Sequence, residues 1–214
     1  MTEPETPNYF GNDATDRLPV DRNELRAEVQ DKYAAVALEP DGEFHFHTGR
    51  PNAEHCRYDM QQVDSLPDAT VESFAGVANP FELAPIEQGE RVIDLGAGAG
   101  FDSLLAAAAT GPAGQVVGFD MTTPMIDKAR AAAHAAGADN VEVRPGYIED
   151  LPIADGWADV VISNGVINLC PDKDAVLAEI RRVLRPGGRL QFADIANGAP
   201  VPEQARRTID LWTG

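Results

Sequence analysis

From residue 91 onward, short apolar runs alternate with segments of helical spacing. Five apolar runs predict strands, at residues 91–98, 115–121, 140–146, 158–164 and 189–195. Three helices are predicted between them. They cover residues 101–110, residues 123–137 with Thr123 as N-cap, and a segment from residue 172 that is stopped by Pro186, Gly187 and Gly188. Strands that alternate with helices indicate βαβ units, and right-handed crossovers then give a parallel sheet of order 3-2-1-4-5. We therefore predict an α/β, doubly wound, mostly parallel, Rossmann-like fold.

The chain before residue 90 has a different pattern. Leu25, Val29 and Tyr33 recur at helical spacing and predict a helix over residues 22–38. Residues 43–48 alternate like a short strand or an extended loop, residues 48–52 read as a turn, and a helix with Asp68 as N-cap is expected over residues 68–77. We divide the chain into a disordered tail (1–20), a helical and loop extension (21–89) and a ligand-binding α/β domain (90–214).

Charge and apolar patterning exclude several classes of protein. The formal net charge of −18 at pH 7 argues against binding to nucleic acid or to an anionic membrane surface. The sequence has no apolar run long enough to cross a bilayer, and its first residues lack the basic and apolar regions of a secretory signal. Two cysteines make no disulfide framework, so a reducing cytoplasm is the predicted compartment.

The first predicted strand runs into the glycine-rich stretch DLGAGAGFD. Its glycines, Gly96, Gly98 and Gly100, let a ligand approach the backbone next to the amide groups of the following helix. A dinucleotide loop has a further glycine three residues after its second, and Phe101 stands there, which disfavours a nicotinamide oxidoreductase. Asp120 ends the second predicted strand. Its carboxylate either accepts both hydroxyls of a ribose or caps Thr122 and Thr123.

The stretches VIDLGAGAGFD, GFDMT and LRPGGRL resemble the class I S-adenosylmethionine-dependent methyltransferases. The resemblance covers about residues 90–195 and implies S-adenosyl-L-methionine as the cofactor. It implies that Gly96, Gly98 and Gly100 line the methionine part and that Asp120 holds the ribose. The remaining cofactor-site residues that it implies are Asp94 (in the outer shell), Met121, Ile148 and Glu149 (around the adenine), and Asn164 and Val166 (closing the pocket).

A closer resemblance is to the arsenite methyltransferase family, and it extends upstream to about residue 44. The stretches that carry it are FHFHTGR, ESFAGVANPF, GAGFDS, DMTTPM, IEDLP and SNGVINLCPDK. In that family cysteine thiolates bind trivalent arsenic, and soft thiolates suit a soft metalloid. This sequence departs from the family at two positions, because most members carry cysteine where Gly165 stands and another near Val77. The resemblance therefore implies Cys170, with Cys56, as the metalloid-binding thiols, and an outside thiol such as glutathione.

Other interpretations of these residues remain open. Cys170 is either the acceptor-binding thiol or a small apolar residue before Pro171. Cys56 suits a structural role, and the spacing of Cys56 with the nearby histidines (His45, His47 and His55) matches no closed zinc pattern, so no metal site is predicted. Asp102 either begins the helix after the glycine stretch or contacts the cofactor.

The predicted function is methyl transfer from S-adenosylmethionine to arsenite or a related thiol-bound metalloid. One alternative is a methyltransferase for a small organic acceptor, with His45, His47 or Glu149 as a candidate base. The other is a cofactor-binding protein without turnover. The family's sheet has seven strands, whereas residues 200–214 read as part of one helix, so strand 5 is expected to be an open edge. The sequence suggests either a second chain over that edge or a chain shortened after Gly214.

Overall fold

A computed structural model describes residues 20–198 of the chain. The predicted helix of residues 200–214 and all of the predicted tail except Val20 lie outside the described residues. The described part contains five strands: β1 (Arg91–Leu95), β2 (Gln115–Asp120), β3 (Val141–Pro145), β4 (Ala158–Asn164) and β5 (Leu184–Ala193). They form one parallel sheet of order β3-β2-β1-β4-β5, so the predicted fold class and strand order are confirmed.

Seven helices accompany these strands: α1 (Arg22–Leu38), α2 (Gly49–His55), α3 (Met60–Val63), α4 (Asp68–Glu72), α5 (Phe101–Thr110), α6 (Thr123–Ala135) and α7 (Lys173–Val183). Short 3-10 turns lie at Pro80–Glu82 and Ile167–Leu169. Helix α1 has the predicted bounds, and its N-cap is Asp21, whose carboxylate accepts hydrogen bonds from two backbone N–H groups of the first turn. None of the described helices is long and apolar enough to cross a membrane.

The two faces of the sheet pack against different helices, as the two-residue repeat of a strand requires. Ile93, Leu95 and Phe119 are buried with residues of α7 on one face. Val92, Val116 and Ile162 are buried with alanines of α5 on the other. Because both faces of β1 and β2 are covered, these strands are apolar almost throughout, which is typical of parallel sheets.

The extension differs from its prediction in two places. Residues 49–55, where a turn was expected, form α2. Gly49 provides a positive φ of 74° at its start, and Pro51 lies in the first turn, where a missing N–H removes no helical hydrogen bond. The helix expected over residues 68–77 ends at Glu72, and Pro67, not Asp68, is its N-cap. Residues 43–48, predicted as a short strand or an extended loop, form a loop with bends at residues 45 and 46, in which Phe44 and Phe46 stack.

The α/β part also corrects some predicted boundaries. Thr122, not Thr123, is the N-cap of α6, and its side chain makes no capping hydrogen bond. The last helix ends at Val183, before the predicted stop at Pro186, and β5 begins at Leu184 instead of Arg189. A register shift against β4 between Ala158 and Val160 takes up the extra residues. Within residues 20–198, β5 pairs with β4 alone, so its other side is an open edge there.

Candidate functional site

A cavity lies at the carboxyl ends of β1, β2 and β4, where the strand order reverses direction. It encloses about 990 Å³ when its open mouth is included. Ligands of open parallel sheets bind at this position because loops from neighbouring strands diverge there. All ten cofactor-site residues that the resemblance implied belong to this region. Nine of them line the cavity directly: Asp94, Gly96, Gly98, Asp120, Met121, Ile148, Glu149, Asn164 and Val166. Gly100, the tenth, is the N-cap of α5 beside it.

The glycine turn after β1 forms the floor of the cavity. Gly96 and Gly100 have φ values of 70° and 87°, a conformation that side chains rarely adopt. A Cβ added to Gly96 would lie 2.4 Å from Val166 Cγ2, so glycine there also allows close contact with the loop after β4. A Cβ on Gly98 would meet nothing closer than 4.0 Å, which leaves its surface open.

Asp120, at the end of β2, makes the capping interaction that was one of its two predicted roles. Its Oδ1 accepts from the backbone N–H of Thr122 at 2.8 Å, which is the capping interaction. Its Oδ2 accepts from the N–H of Gly98 at 2.9 Å, which ties β2 to the glycine turn. Each carboxylate oxygen has a second lone pair. The half-buried carboxylate lines the cavity and therefore remains able to accept hydrogen bonds from a ligand's hydroxyl groups.

Two further carboxylates are buried beside the turn. Asp94 is 2% exposed and Asp102 is 7% exposed. Burial, and then the charge of Asp102, raises the pKa of Asp94 to about 8, against the lowering effect of a hydrogen bond from Ser103 Oγ. Burial also raises the pKa of Asp102 to about 6 and that of Asp120 above its usual value. No basic side chain of residues 20–198 forms an ion pair with any of the three, so the cavity favours a ligand that carries positive charge.

Asp102 has a larger role than the sequence suggested. It lies in the first turn of α5, as one of its two predictions had it, and its side chain also lines the cavity. In addition, it accepts hydrogen bonds from Tyr58 Oη at 2.7 Å and Asn164 Nδ2 at 3.0 Å. Sequence reasoning missed Tyr58. Its partners lie 44 and 106 residues away, and no local pattern links them.

Helix α1 covers one side of the cavity, a placement that the sequence did not predict. Arg26 pairs with Glu149 at 2.9 Å, and Gln30 Nε2 donates to the carbonyl oxygen of Met121 at 2.7 Å. Tyr33 lines the cavity from the same helix, and burial beside Asp120 and Asp194 raises its pKa to about 12. The spacing of Arg22, Arg26 and Gln30, four residues apart, was a signal for a polar helix face with partners.

The two cysteines lie in different parts of the structure. Cys170 is buried, lines the cavity and belongs to the core cluster beneath α7. Its Sγ lies 3.5 Å from the carbonyl oxygen of Val166, and burial together with Glu149 raises its pKa to about 12. Cys56 is buried in a cluster of the extension with Tyr58 and Phe74, outside the cavity lining. The structure therefore brings Cys170, but not Cys56, to the site.

No metal-binding cluster is present in the described part of the chain. No group of three or more His, Cys, Asp or Glu side chains within residues 20–198 is arranged to hold an ion. The rings of His47 and His55 come to 6.2 Å, and neither residue lines the cavity. The polar groups that line the cavity include carboxylates, backbone amides, one thiol and the side chains of Arg26, Tyr33 and Asn164.

The chain is similar to known proteins in both sequence and structure. Residues 86–213 match the family model described as a methyltransferase domain. The arsenite methyltransferase of Halobacterium salinarum is 40% identical over 208 residues, which are 91% of this chain and 53% of that protein. The human arsenite methyltransferase is 34% identical over 175 residues, 77% of this chain and 45% of that protein.

A solved structure supports the same relationship. The arsenic(III) S-adenosylmethionine methyltransferase of Chlamydomonas reinhardtii aligns with a TM-score of 0.64 at 38% identity, over 68% of this chain and 51% of that one. The chain spans about half the length of the curated relatives that it matches. Since the family model covers more than half of the sequence, and the sheet order and the glycine turn agree with it, the chain belongs to the methyltransferase domain family.

Proposed function

We propose that the chain binds S-adenosylmethionine in this cavity and that its methyl group is transferred to trivalent arsenic held by a thiol. The observation that carries the cofactor assignment is the set of three carboxylates around the glycine turn, Asp94, Asp102 and Asp120, none of them ion-paired within residues 20–198. S-adenosylmethionine carries an ammonium and a sulfonium group. Either positive charge stabilises the ionised form of a buried carboxylate and offsets the cost of its burial.

The residues of the cavity fit the other parts of the cofactor. The carboxylate of Asp120 lines the cavity and is the proposed acceptor for the ribose hydroxyls. The open face of Gly98 admits the ligand close to the backbone. Met121 and Ile148 give the adenine ring an apolar surface at the ends of β2 and β3. When bound, the cofactor supplies an electrophilic methyl group, which an arsenic lone pair takes as the sulfonium becomes a neutral thioether.

Cys170 is the proposed arsenic-binding residue. Its raised pKa keeps the thiol protonated at neutral pH. A protonated thiol suffices, because neutral arsenous acid and a neutral thiol form an As–S bond and release one water molecule, so no charge is buried. The surrounding apolar residues, which include Val29, Phe74 and Leu169, exclude water from the reacting atoms. Glutathione is proposed as the source of the further thiols that arsenic prefers.

We define the acceptor end of the cavity as Cys170 and Gly165, which line it, together with Val77, which packs against Gly165 from outside the lining. This end also supports a second candidate. By the resemblance, most arsenite methyltransferases carry thiols at or near the positions of Gly165 and Val77. These two residues are in contact here, and both are apolar. A cavity with one protonated thiol and an otherwise apolar acceptor end favours a small organic acceptor over a three-thiolate arsenic site. Methyl transfer to an organic acceptor would not require the thiol of Cys170, whereas the proposed transfer to arsenic does.

Two further proposals concern a partner chain and the cellular compartment. Phe192 and Ile195 are 45% and 55% exposed along and just after the open edge of β5, and we propose that a second chain pairs with this edge. Light scattering of the unchanged chain and of Phe192→Lys measures the mass of each in solution. An oligomer of the unchanged chain that is lost in Phe192→Lys supports the proposal, and an unchanged chain that is already a monomer contradicts it.

Both cysteines are free thiols, which suits the predicted reducing cytoplasm.

The experiment for the proposed function measures methyl transfer from labelled S-adenosylmethionine to arsenite in the presence of glutathione. It compares the unchanged chain with Cys170→Ser and with the matched control Cys56→Ser. We expect methylated arsenic from the unchanged chain and the control, and at least about a tenfold loss in Cys170→Ser. Transfer to small organic acceptors that persists in Cys170→Ser would favour the second function. Cofactor binding without any methylated product would indicate a binding protein without turnover.

A further inference from the structure

Three polar side chains from distant parts of the chain meet at one wall of the cavity. Tyr58 follows α2, Asp102 lies in the first turn of α5, and Asn164 ends β4. Tyr58 and Asp102 are 5% and 7% exposed. Asn164 Nδ2 lies 3.0 Å from both Tyr58 Oη and Asp102 Oδ2. A polar group so deeply buried needs hydrogen-bond partners, and these side chains provide them for one another.

Asn164 also holds a short loop of the extension, residues 76–78, which we call the wall loop. Its Oδ1 accepts from the backbone N–H groups of Val77 at 2.8 Å and Ala78 at 3.3 Å. Its Nδ2 donates to the carbonyl oxygen of Ala78 at 2.8 Å. One side chain therefore fixes both the donors and the acceptor of this loop against the end of β4.

The donors of this network are fewer than its acceptors. Asn164 supplies two N–H donors and Tyr58 supplies one O–H donor. Asn164 Nδ2 has three acceptors within hydrogen-bond distance: Tyr58 Oη, Asp102 Oδ2 and the carbonyl oxygen of Ala78. Tyr58 Oη donates to Asp102 Oδ1 at 2.7 Å, and the Ala78 carbonyl oxygen lies farther away, at 3.2 Å. Removal of the Tyr58 hydroxyl takes this short hydrogen bond from the buried carboxylate, so Asn164 is drawn toward Asp102 and its hold on the wall loop weakens.

Packing around the wall loop depends on the same contact. A Cβ added to Gly76 would lie 2.3 Å from Asn164 Nδ2 and 2.6 Å from Phe74 Cζ, so glycine is what lets the loop approach Asn164. The Tyr58 ring packs edge-on against Phe74 and Phe101, with centroids at 5.3 Å and 5.0 Å. We therefore expect the aromatic ring to keep its position when the Tyr58 hydroxyl is removed. Tyr58→Phe then changes the hydrogen bonds without changing the packing of the ring.

The wall loop reaches the acceptor end of the cavity. Gly76 lines the cavity, and Val77 contacts Gly165. We propose that Tyr58 and Asp102 are positioning residues that act through Asn164 to hold the wall loop, and with it Val77, at the acceptor end. The catalytic consequence rests on the proposed function. The position of the loop itself does not, because it follows from contacts within the chain.

The test compares Tyr58→Phe with Ser163→Ala, a neighbouring change that removes a buried hydroxyl without a hydrogen-bond partner. Hydrogen exchange of the Val77 and Ala78 amides is followed in the chain without ligand. We expect exchange about tenfold faster in Tyr58→Phe and unchanged in Ser163→Ala, because a lost buried hydrogen bond weakens local stability by that factor. Unchanged exchange in Tyr58→Phe, or equal acceleration at amides throughout α2 and α5, overturns the proposal.

A kinetic measurement on the same two variants separates positioning from folding. We expect the KM for the acceptor to rise about tenfold in Tyr58→Phe, with the dissociation constant of S-adenosylhomocysteine within about twofold of the unchanged chain. Faster exchange of the Val77 and Ala78 amides in Tyr58→Phe, with no change in the KM for the acceptor, would overturn the proposed effect on catalysis. An unchanged chain that fails to bind S-adenosylhomocysteine would count against the proposed function alone, since the exchange measurement uses no ligand.

Discussion

Val77 and Gly165 are in contact across the acceptor end of the cavity. A Cβ built on Gly165 would lie 3.0 Å from Val77 Cγ1 and 3.9 Å from Val77 Cβ. The second distance is within the Cβ–Cβ range of a disulfide, which is about 3.5–4.5 Å. The contact joins the wall loop to the loop after β4, although the two residues are 88 positions apart in the sequence.

This contact predicts that cysteines at both positions form a disulfide. The double variant Val77→Cys with Gly165→Cys has four cysteines in place of two. Under oxidising conditions we expect only two thiols to react in the denatured variant, and all four after reduction, with a small loss of stability from the positive φ of residue 165. Each single variant is the matched control and keeps three reactive thiols. Four reactive thiols in the oxidised double variant would show that the residues do not face each other.

The buried carboxylates predict an unusual dependence of stability on pH. Asp94 and Asp102 have pKa values of about 8 and about 6 in the folded chain, against an ordinary value of 3.8. The folded chain therefore binds protons that the unfolded chain has released. This contribution to stability is complete below about pH 4 and is lost as the pH rises through 6 and 8. Between pH 5.5 and 8 the free energy of unfolding should fall by an amount on the order of 4 kcal/mol from these groups.

Urea denaturation of the unchanged chain and Asp94→Asn across this range measures the effect. We expect a smaller decrease in Asp94→Asn, because the substituted amide does not titrate. The same slope in both proteins would assign the pH dependence to other groups, such as the histidines.

Glycine at position 96 serves both the backbone conformation and the contact with Val166. Gly89 has a φ of 85° with no atom within 4 Å of an added Cβ, so Gly89→Ala isolates the backbone strain. We expect Gly89→Ala to cost about 1 kcal/mol of unfolding free energy and Gly96→Ala about 2–4 kcal/mol, since the latter adds a clash. Addition of Val166→Ala to Gly96→Ala should recover part of the loss. Equal costs for the two single variants, measured by urea denaturation, would contradict the role of the contact.

The ion pair between Arg26 and Glu149 predicts that Arg26 contributes more than Arg22 to the stability of α1 against the cavity. The side chains of Arg26 and Glu149 are 24% and 11% exposed, and the Arg26 guanidinium also lies 4.2 Å from the Tyr147 ring centroid. Arg22 and Asp172 are 58% and 33% exposed. We expect Arg26→Met to lower the unfolding free energy by about 1–2 kcal/mol and Arg22→Met by less than about 0.5 kcal/mol. Thermal unfolding of both variants decides this, and similar losses would refute it.

The α/β part was predictable from sequence because its elements are local. The bounds of α5 and β4 match the prediction, since an apolar run followed by glycine or a polar residue fixes each one. Helix α2 was missed because its first residues, Gly49, Arg50 and Pro51, are also typical of a turn. The grouping of the glycine turn, Asp120 and Asn164 followed from the order of the strands.

The other walls of the cavity were not predictable by the same reasoning. The helical spacing of α1 indicated which face is apolar, and Leu25 and Val29 are buried as expected. It did not indicate which surface that face covers. The contacts of Tyr58 and Val77 depend on how the extension folds back over the carboxyl ends of the strands, and the sequence contains no local pattern for such a return.

The most direct test of this account is calorimetric titration of the chain with S-adenosylmethionine. Asp120→Asn is the informative variant, because the new amide places an N–H₂ group against the backbone N–H of either Gly98 or Thr122 and removes a carboxylate oxygen from the cavity. The exposed Asp139→Asn is the control for the change of charge. We predict one site per chain, at least about a tenfold weaker affinity in Asp120→Asn, and no change in the control. Absence of binding, or the same affinity in Asp120→Asn, would contradict the account.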